Sequence, residues 1–212
     1  FWFFSPSNVE VLLKVLDGRG LNDHFWVFYG ALSSVEYTLT VTDTQTGLAR
    51  RYSNPAGQLA SAGDTEGFGP RGAQSVVPDL FTAAPSPPAL VRGWSSAAAV
   101  SPCVPGPRRL CLNGGRFAVE VAWKDFQNQT GQGTAIPFTA DTGYFWFFDA
   151  ANVELAIKVL DGRGLNGKFW VFYGALSNVE YTITVTDTQT GSVREYRNPS
   201  GRFASVGDTG AF

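Results

Sequence analysis

The sequence predicts an all-β protein made of tandem antiparallel β-sandwich or barrel-like domains. Two observations support this fold class. Apolar and polar residues alternate with a period of two in several runs, as they do in strands with one buried face. Turn-forming sequences rich in Asp, Asn and Gly, such as DGRG and DTQTG, separate these runs. Strands with this spacing indicate about seven per domain.

An internal repeat organises the chain. Residues 1–68 align without a gap with residues 145–212, and 48 of the 68 positions are identical. Residues 110–144 precede the second copy and contain two further alternating runs, to which the first copy has no counterpart. We therefore predict an incomplete first β repeat over residues 1–68 and a complete second β repeat over residues 110–212.

Residues 69–109 differ in composition from both repeats, and we interpret them as a linker. They contain 8 of the 12 prolines, and Ala and Ser supply much of the remainder. This composition favours an extended, semi-rigid connection. Two short apolar pairs in it, Val76-Val77 and Leu90-Val91, are candidates for docking on a neighbouring element.

The strand prediction is clearest for residues 117–124 and 179–186, where apolar side chains occupy every second position. Residues 153–160 also fit the spacing of a helix. The equivalent residues 9–16 of the first copy begin with strict alternation, and this favours a strand. A strand is therefore the prediction for this segment in both copies.

Two aromatic runs, residues 145–148 and 169–173, are apolar on both faces, which is typical of strands covered on both sides. One interpretation is a sandwich core with a covered outer face. The other is an aromatic platform that stacks sugars or packs on another subunit. The candidate residues for such a packing or ligand surface are Trp2, Trp26, Trp146 and Trp170.

Composition excludes several classes of function. The 16 basic and 18 acidic residues leave a net charge of -2, so there is no electrostatic footprint for nucleic acid or an acidic membrane. No apolar run approaches the ~20 residues of a transmembrane helix. The absence of Met indicates a processed protein or a piece of a longer chain. The expected location is extracellular or at the cell surface.

No catalytic residue, metal ligand or cofactor is predicted, and we expect a protein without enzymatic activity. The single His, His24, has Lys168 as its equivalent in the second copy, which disfavours a catalytic base. A glycosidase needs two carboxylates about 5–10 Å apart. The repeated glutamates lie instead on alternating strand faces, where solvated Glu is normal; they are Glu10, Glu36, Glu154 and Glu180.

The sequence neither predicts nor excludes calcium binding at the repeated aspartates. The aspartates of the DGRG, DTQTG and GDT sequences are ordinary turn residues, and each turn supplies one carboxylate. Calcium requires six to eight oxygen ligands. A calcium site would therefore require several of these turns to converge.

Cys103 and Cys111 flank the sequence CVPGPRRLC. In an exported chain, a pair with this separation closes a small disulfide loop. The bond would join the linker to the first strand of the second repeat. Two free thiols are the alternative.

The string DTGYFWFFDAANVELAIKVLDGRGLNGKFWVFYGALSNVEYTITVTDTQTG, residues 141–191, resembles a repeat domain of secreted bacterial proteins. In that family the domain often follows a linker and an LCL-type opening, as at residues 110–112. The resemblance covers both repeats and implies large multidomain extracellular proteins. It implies no reaction and supplies no catalytic residues.

The incomplete first repeat suggests a function. A sandwich without its first strands exposes an unpaired edge, and such edges recruit strands from other chains. The linker could supply an intramolecular strand to fill this gap, or a neighbouring subunit could donate one. We predict a structural or adhesive subunit that self-associates head to tail into a filament or surface array by strand complementation. A fragment of a longer repeat array is the alternative origin. The rival function is a carbohydrate-binding accessory module, with a glycan as its partner.

Overall fold

The structure is a computed structural model and describes residues 1–70, 92–95 and 101–212. Its strand pairs are antiparallel throughout. Within the described ranges, α-helix is limited to two single turns, α1 (Arg19–Asn22) and α2 (Arg163–Asn166). The predicted all-β fold class is therefore confirmed.

The first repeat forms two small sheets. Its strands are β1 (Val11–Asp17), β2 (Phe25–Ala31), β3 (Tyr37–Thr42), β4 (Ala49–Asn54) and β5 (Ser61–Phe68). One sheet has the order β1-β2-β5, and the other contains β3 and β4. Side chains of both sheets share one apolar cluster, which includes Val11, Tyr29, Leu39 and Tyr52.

The second repeat forms two larger sheets. The linker strand and the strands of this repeat are β6 (Arg92–Ser95), β7 (Leu110–Leu112), β8 (Phe117–Lys124), β9 (Thr130–Gln132), β10 (Thr134–Pro137), β11 (Thr142–Trp146), β12 (Leu155–Gly162), β13 (Lys168–Ala175), β14 (Glu180–Asp187), β15 (Ser192–Asn198) and β16 (Ser205–Asp208). One sheet has the order β10-β11-β12-β13-β16. The other has the order β6-β15-β14-β8-β7, with β9 also paired to β8. The two sheets enclose one core, as in a β-sandwich.

The linker contributes a strand to the second repeat. β6 pairs antiparallel with β15, from Ser95 opposite Ser192 to Arg92 opposite Glu195. This pairing covers one edge of the sheet, which would otherwise present unpaired backbone groups. The two apolar linker pairs at 76–77 and 90–91 lie outside the described residues.

The segment that fitted both helix and strand spacing is a strand in both repeats. In β12, Ile157 and Val159 face the sandwich core and have no exposed surface. Ala156 and Lys158 face the opposite way and are also buried, because the first repeat covers that face. Burial on both faces removes the polar residues that normally mark alternation, and this explains the ambiguous pattern.

The two DGRG sequences form single helical turns instead of simple reverse turns. Before α2, the Asp161 carboxylate accepts bonds from the backbone N of Arg163 at 3.1 Å and from its Nε at 2.8 Å. Gly167 follows α2 with φ +75°, a conformation in which glycine is unstrained. Each turn therefore has a local hydrogen-bonded start and a left-handed end.

Candidate assembly surfaces

Residues 110–144 complete the sandwich of the second repeat. β8 pairs with β14 along its whole length, from Phe117 to Lys124. The side chains of Phe117, Val119 and Val121 enter the core and have no exposed surface. The segment therefore supplies both backbone pairing and apolar burial to this repeat.

A buried ion pair attaches the same segment to β14. The Arg116 guanidinium donates to the two carboxylate oxygens of Asp187 at 3.2 and 2.8 Å. The Asp187 side chain is 1% exposed, and the guanidinium carbon lies 4.2 Å from the centre of the Phe169 ring. Burial alone would raise the pKa of Asp187, but the hydrogen bonds from Arg116 and from the Gln189 backbone hold it below its ordinary value.

In the first repeat, β3 occupies the position of β14. β3 pairs with β4 along its length. Among residues 1–70, 92–95 and 101–212, no strand pairs with the other edge of β3. This edge is the one that β8 covers in the second repeat.

Core-facing side chains of the first repeat are correspondingly less covered. Val15 is 44% exposed, whereas its equivalent Val159 has no exposed surface. Leu13, Tyr37 and Val41 are only partly buried, although their equivalents in the second repeat are fully buried. We name this opening the open core. It comprises Phe3, Leu13, Tyr37 and Val41, which pack against the first core, and Val15, which strand alternation places on the same face of β1 as Leu13.

Two of the predicted aromatic surface residues pack within their own repeats. The indole N–H of Trp170 donates to Asn166 Oδ1 at 2.8 Å, and that of Trp26 donates to Asn22 Oδ1 at 2.8 Å. A Cβ atom on Gly162 would overlap the Trp170 ring, so the ring lies directly on that glycine. One face of this half-buried ring is therefore occupied, and its polar atom is bonded.

The other two candidate tryptophans differ in exposure. Trp2 is 54% exposed and lies between Phe1 and Phe4, which are 67% and 72% exposed. Trp146 is half-buried in β11, opposite Thr134. Trp2 therefore belongs to an exposed aromatic run next to the open core, because its neighbour Phe3 packs on the first core.

His24 and the repeated aspartates have structural contacts. His24 Nδ1 lies 2.6 Å from the carbonyl oxygen of Asn22. Asp208 accepts a hydrogen bond from Tyr196 at 2.9 Å, and the equivalent pair exists in the first repeat. In the part of the chain that the structure describes, no group of three or more His, Cys, Asp or Glu side chains could hold a metal ion.

The prediction of solvated glutamates is wrong for Glu10 and Glu154, which are each 1% exposed. Glu154 accepts hydrogen bonds from the backbone N of Phe147 at 2.6 Å and from the side-chain amide of Asn152. Glu10 makes the equivalent contacts in the first repeat. Burial raises the pKa of Glu154. Strand periodicity missed this burial because the carboxylate folds back onto the preceding loop.

Two lysines that the sequence analysis did not single out cross between the repeats. Lys158 Nζ donates to Asn8 Oδ1 at 2.6 Å and to the carbonyl oxygen of Val9 at 2.8 Å. Lys14 makes the equivalent bonds, to Asn152 Oδ1 at 2.5 Å and to the carbonyl oxygen of Val153 at 2.7 Å. The sequence contained one signal for these contacts, because both copies keep a lysine within an otherwise apolar strand, in the sequence KVL.

A shallow groove lies on the second repeat over β8, β9 and β14. Its volume is about 340 Å³. Trp123 is one of its lining residues and also packs against the second core, and its buried indole nitrogen has no hydrogen-bond partner among the described residues. Polar side chains around the groove are those of Lys124, Thr130, Gln132, Glu180 and Thr182.

Cys103 and Cys111 form the predicted disulfide, with their Cα atoms 5.7 Å apart. Cys111 lies in β7, and the backbone N of Cys103 donates to the carbonyl oxygen of Gly115 at 2.8 Å. The bond therefore attaches the end of the linker to the edge of the second sandwich.

Replacing both cysteines with serine should lower the free energy of unfolding by about 2 kcal/mol, because the unfolded chain loses a covalent constraint. Urea denaturation with and without dithiothreitol measures this effect. Reductant should shift the midpoint of the parent chain and leave that of the double variant unchanged. An identical parent midpoint in both conditions would contradict a stabilising role for the bond.

No family model, curated protein or solved structure matches this chain. The resemblance to repeat domains of secreted bacterial proteins therefore stays a prediction. No helix among the described residues is both long and apolar enough to cross a membrane. The fold and these surfaces define a disulfide-bonded all-β sandwich protein in which, among the described residues, β14 is paired on both edges and β3 on one.

Proposed function

We propose that this chain is a non-enzymatic extracellular structural or adhesive protein, a subunit of a filament or surface array. Its subunits join by strand complementation, in which an extended segment of another copy completes the open core. The observation that supports this function best is the difference between β3 and β14. These are equivalent strands, but among residues 1–70, 92–95 and 101–212 only β14 has a strand on both sides.

The second repeat indicates what a complementing segment must supply. β8 forms eight residue pairs with β14 and places a large apolar side chain in the core at every second position. A segment added to β3 would gain backbone hydrogen bonds along the edge and specificity from alternate side chains. It would also cover Val15 and the half-buried residues of the open core. Burial of apolar surface contributes about 25 cal/mol per Å².

Three further features agree with an extracellular assembly. A disulfide is characteristic of proteins from oxidising compartments. The net charge of -2 produces little repulsion between copies. The outer face of β3 presents Thr38, Thr40 and Thr42, which are exposed and uncharged and therefore suit lateral packing.

Light scattering of the chain at working concentration tests the proposal. We expect assemblies with a mass above the 22.9 kDa of one chain. The mass of these assemblies should fall when Val15 is replaced with Glu. Val15 is already 44% exposed, so this substitution should place a charge in the open core without unfolding the repeat. Val104→Glu is the matched control, because Val104 is 72% exposed and lies outside the open core. A monodisperse monomer would overturn the proposal.

A peptide of residues 116–125 provides an independent test, because it carries the β8 pattern. The second repeat already contains its own β8, so the position for the peptide is the edge of β3 that no described strand covers. We expect the peptide to bind one site per chain and to disperse the assemblies. The same peptide with Val119→Ser and Val121→Ser should do neither. Equal effects of the two peptides would contradict recognition through the apolar positions.

A carbohydrate-binding accessory module is the second candidate function. The groove of about 340 Å³ beside Trp123 favours it, because polar side chains surround an aromatic residue there. A glycan array followed by titration of the Gln132→Ala variant distinguishes the two functions. A defined oligosaccharide whose binding needs Gln132 would place this function first, and an array without binders would remove it.

A further inference from the structure

The two repeats meet through equivalent faces. One face is formed by β1, β2 and β5, and the other by the equivalent strands β12, β13 and β16. At the centre, Gly30 lies against Gly174, its equivalent 144 positions later. A Cβ atom on Gly30 would lie 2.9 Å from the carbonyl carbon of Gly174, and one on Gly174 would lie 2.9 Å from the backbone of Gly30 and Ala31. We name these two surfaces the inter-repeat faces.

A second pair of equivalent residues also meets itself. Ser61 Oγ and Ser205 Oγ are 2.6 Å apart. Ser61 also donates to the carbonyl oxygen of Ala204 at 3.2 Å, and Ser205 Oγ accepts from the backbone N of Ala31 at 3.2 Å. Residues that contact their own equivalents lie on a two-fold axis, and here two such pairs define an internal pseudo-two-fold.

Other contacts occur as pairs that the same two-fold relates to each other. Lys14 reaches Asn152 as Lys158 reaches Asn8. The rings of Phe28 and Phe203 have centroids 5.9 Å apart. The equivalent residues Phe172 and Leu59 meet at Gly207, where a Cβ atom would touch both side chains. Reciprocal contacts of this kind are the property of an isologous interface, which normally joins two identical subunits.

We infer that the inter-repeat face is a homotypic docking surface, whose partner is a second copy of the same repeat. In this chain the inter-repeat face of the first repeat covers that of the second repeat. The surface recognises its partner by close approach of glycine backbones, by the reciprocal lysine bonds and by aromatic contacts around them. A repeat whose face is vacated should therefore pair with the same face on another chain.

Two differences between the faces favour pairing within one chain. Leu12 corresponds to Ala156, and Leu59 corresponds to Phe203. Leu12 and Ala156 belong to one apolar cluster between the repeats, so a large side chain is combined with a small one. Two copies of the second repeat would combine two alanines at this position. Their pairing should therefore be weaker than the pairing within the chain, while the polar contacts stay the same.

The test disrupts the inter-repeat face of the first repeat in the full chain, which leaves the face of the second repeat uncovered. Gly30→Arg places a long side chain where the Gly174 backbone lies, and it should separate the two repeats without altering the second face. We expect the variant to dimerise through its second repeats, so that its mass rises to twice 22.9 kDa by multi-angle light scattering. The matched control combines Gly30→Arg with Gly174→Arg and so disrupts both inter-repeat faces. It should keep the mass of a single chain. Both chains also carry Val15→Glu, so that association through the open core does not contribute.

Cysteine cross-linking identifies the surface. Ser205→Cys on the Gly30→Arg chain should form a disulfide between two chains, because residue 205 would then face its own copy. On the parent chain the same substitution faces Ser61 and should form no such bond. Circular dichroism checks folding, and Ser61→Arg replaces Gly30→Arg if that variant unfolds. Equal masses for the single and double arginine variants, or no 205–205 cross-link, would overturn the inference.

Discussion

Replacing Arg116 with Met should lower the free energy of unfolding by about 3–5 kcal/mol, because it leaves a buried carboxylate without its partner. Asp187 is 1% exposed and accepts two bonds from Arg116. The same guanidinium packs on Phe169. Chemical denaturation followed by tryptophan fluorescence measures the loss.

Arg109 provides the matched control for this prediction. It forms an ion pair with Glu120 at 3.0 Å, but the two side chains are 48% and 42% exposed. Exposed pairs contribute about 0–1 kcal/mol, so Arg109→Met should change the free energy of unfolding little. Equal losses for the two variants would show that burial of Asp187 has no special cost.

The free energy of unfolding should rise by about 2–3 kcal/mol between pH 8 and pH 10 because of Lys158. Burial lowers the pKa of Lys158 from 10.5 to about 8, although the charges of Glu10 and Asp141 oppose this shift. In this range the unfolded chain keeps the proton that the folded chain has lost. Folding therefore becomes more favourable as pH increases through the range.

Denaturation at several pH values checks this expectation. Lys158→Met should abolish the contribution of this group to the rise. Lys168→Met is the control, because Lys168 is exposed on β13 and should leave the rise intact. If the parent chain and Lys158→Met have parallel pH profiles, the ammonium group of Lys158 is not the cause.

The two proposed interactions use opposite faces of one sheet. In β1, Leu13 packs on the first core and Val15 lies on the same strand face, whereas Leu12 and Lys14 face the second repeat. Strand alternation separates these two sets of side chains. A substitution in one surface should therefore leave the other intact, and each proposal can fail without the other.

Local patterns predicted much of the fold. The alternation over residues 117–124 and 179–186 correctly placed apolar side chains in the second core. The cysteine spacing indicated the disulfide, and the alternation in the first copy resolved the ambiguous segment as a strand. These predictions succeeded because side-chain period, turn chemistry and loop length are properties of neighbouring residues.

Other features depended on tertiary contacts that strand periodicity does not encode. Glu10 and Glu154 are buried although the pattern predicted solvated residues, because each carboxylate binds backbone seven positions earlier. Lys14 and Lys158 have their partners in the other repeat, 138 and 150 positions away. No period in the sequence encodes such pairings.

The sequence by itself determined the all-β class, the duplication of residues 1–68 and the pair of cysteines available for a disulfide, since these follow from local spacing and self-comparison. Only the tertiary structure decided which strand edge stays open and which faces of the two repeats meet. Strand edges and docking faces exist only after strands pair and sheets pack. The physical reason is that burial and backbone pairing are properties of the whole assembly of strands and not of a single segment.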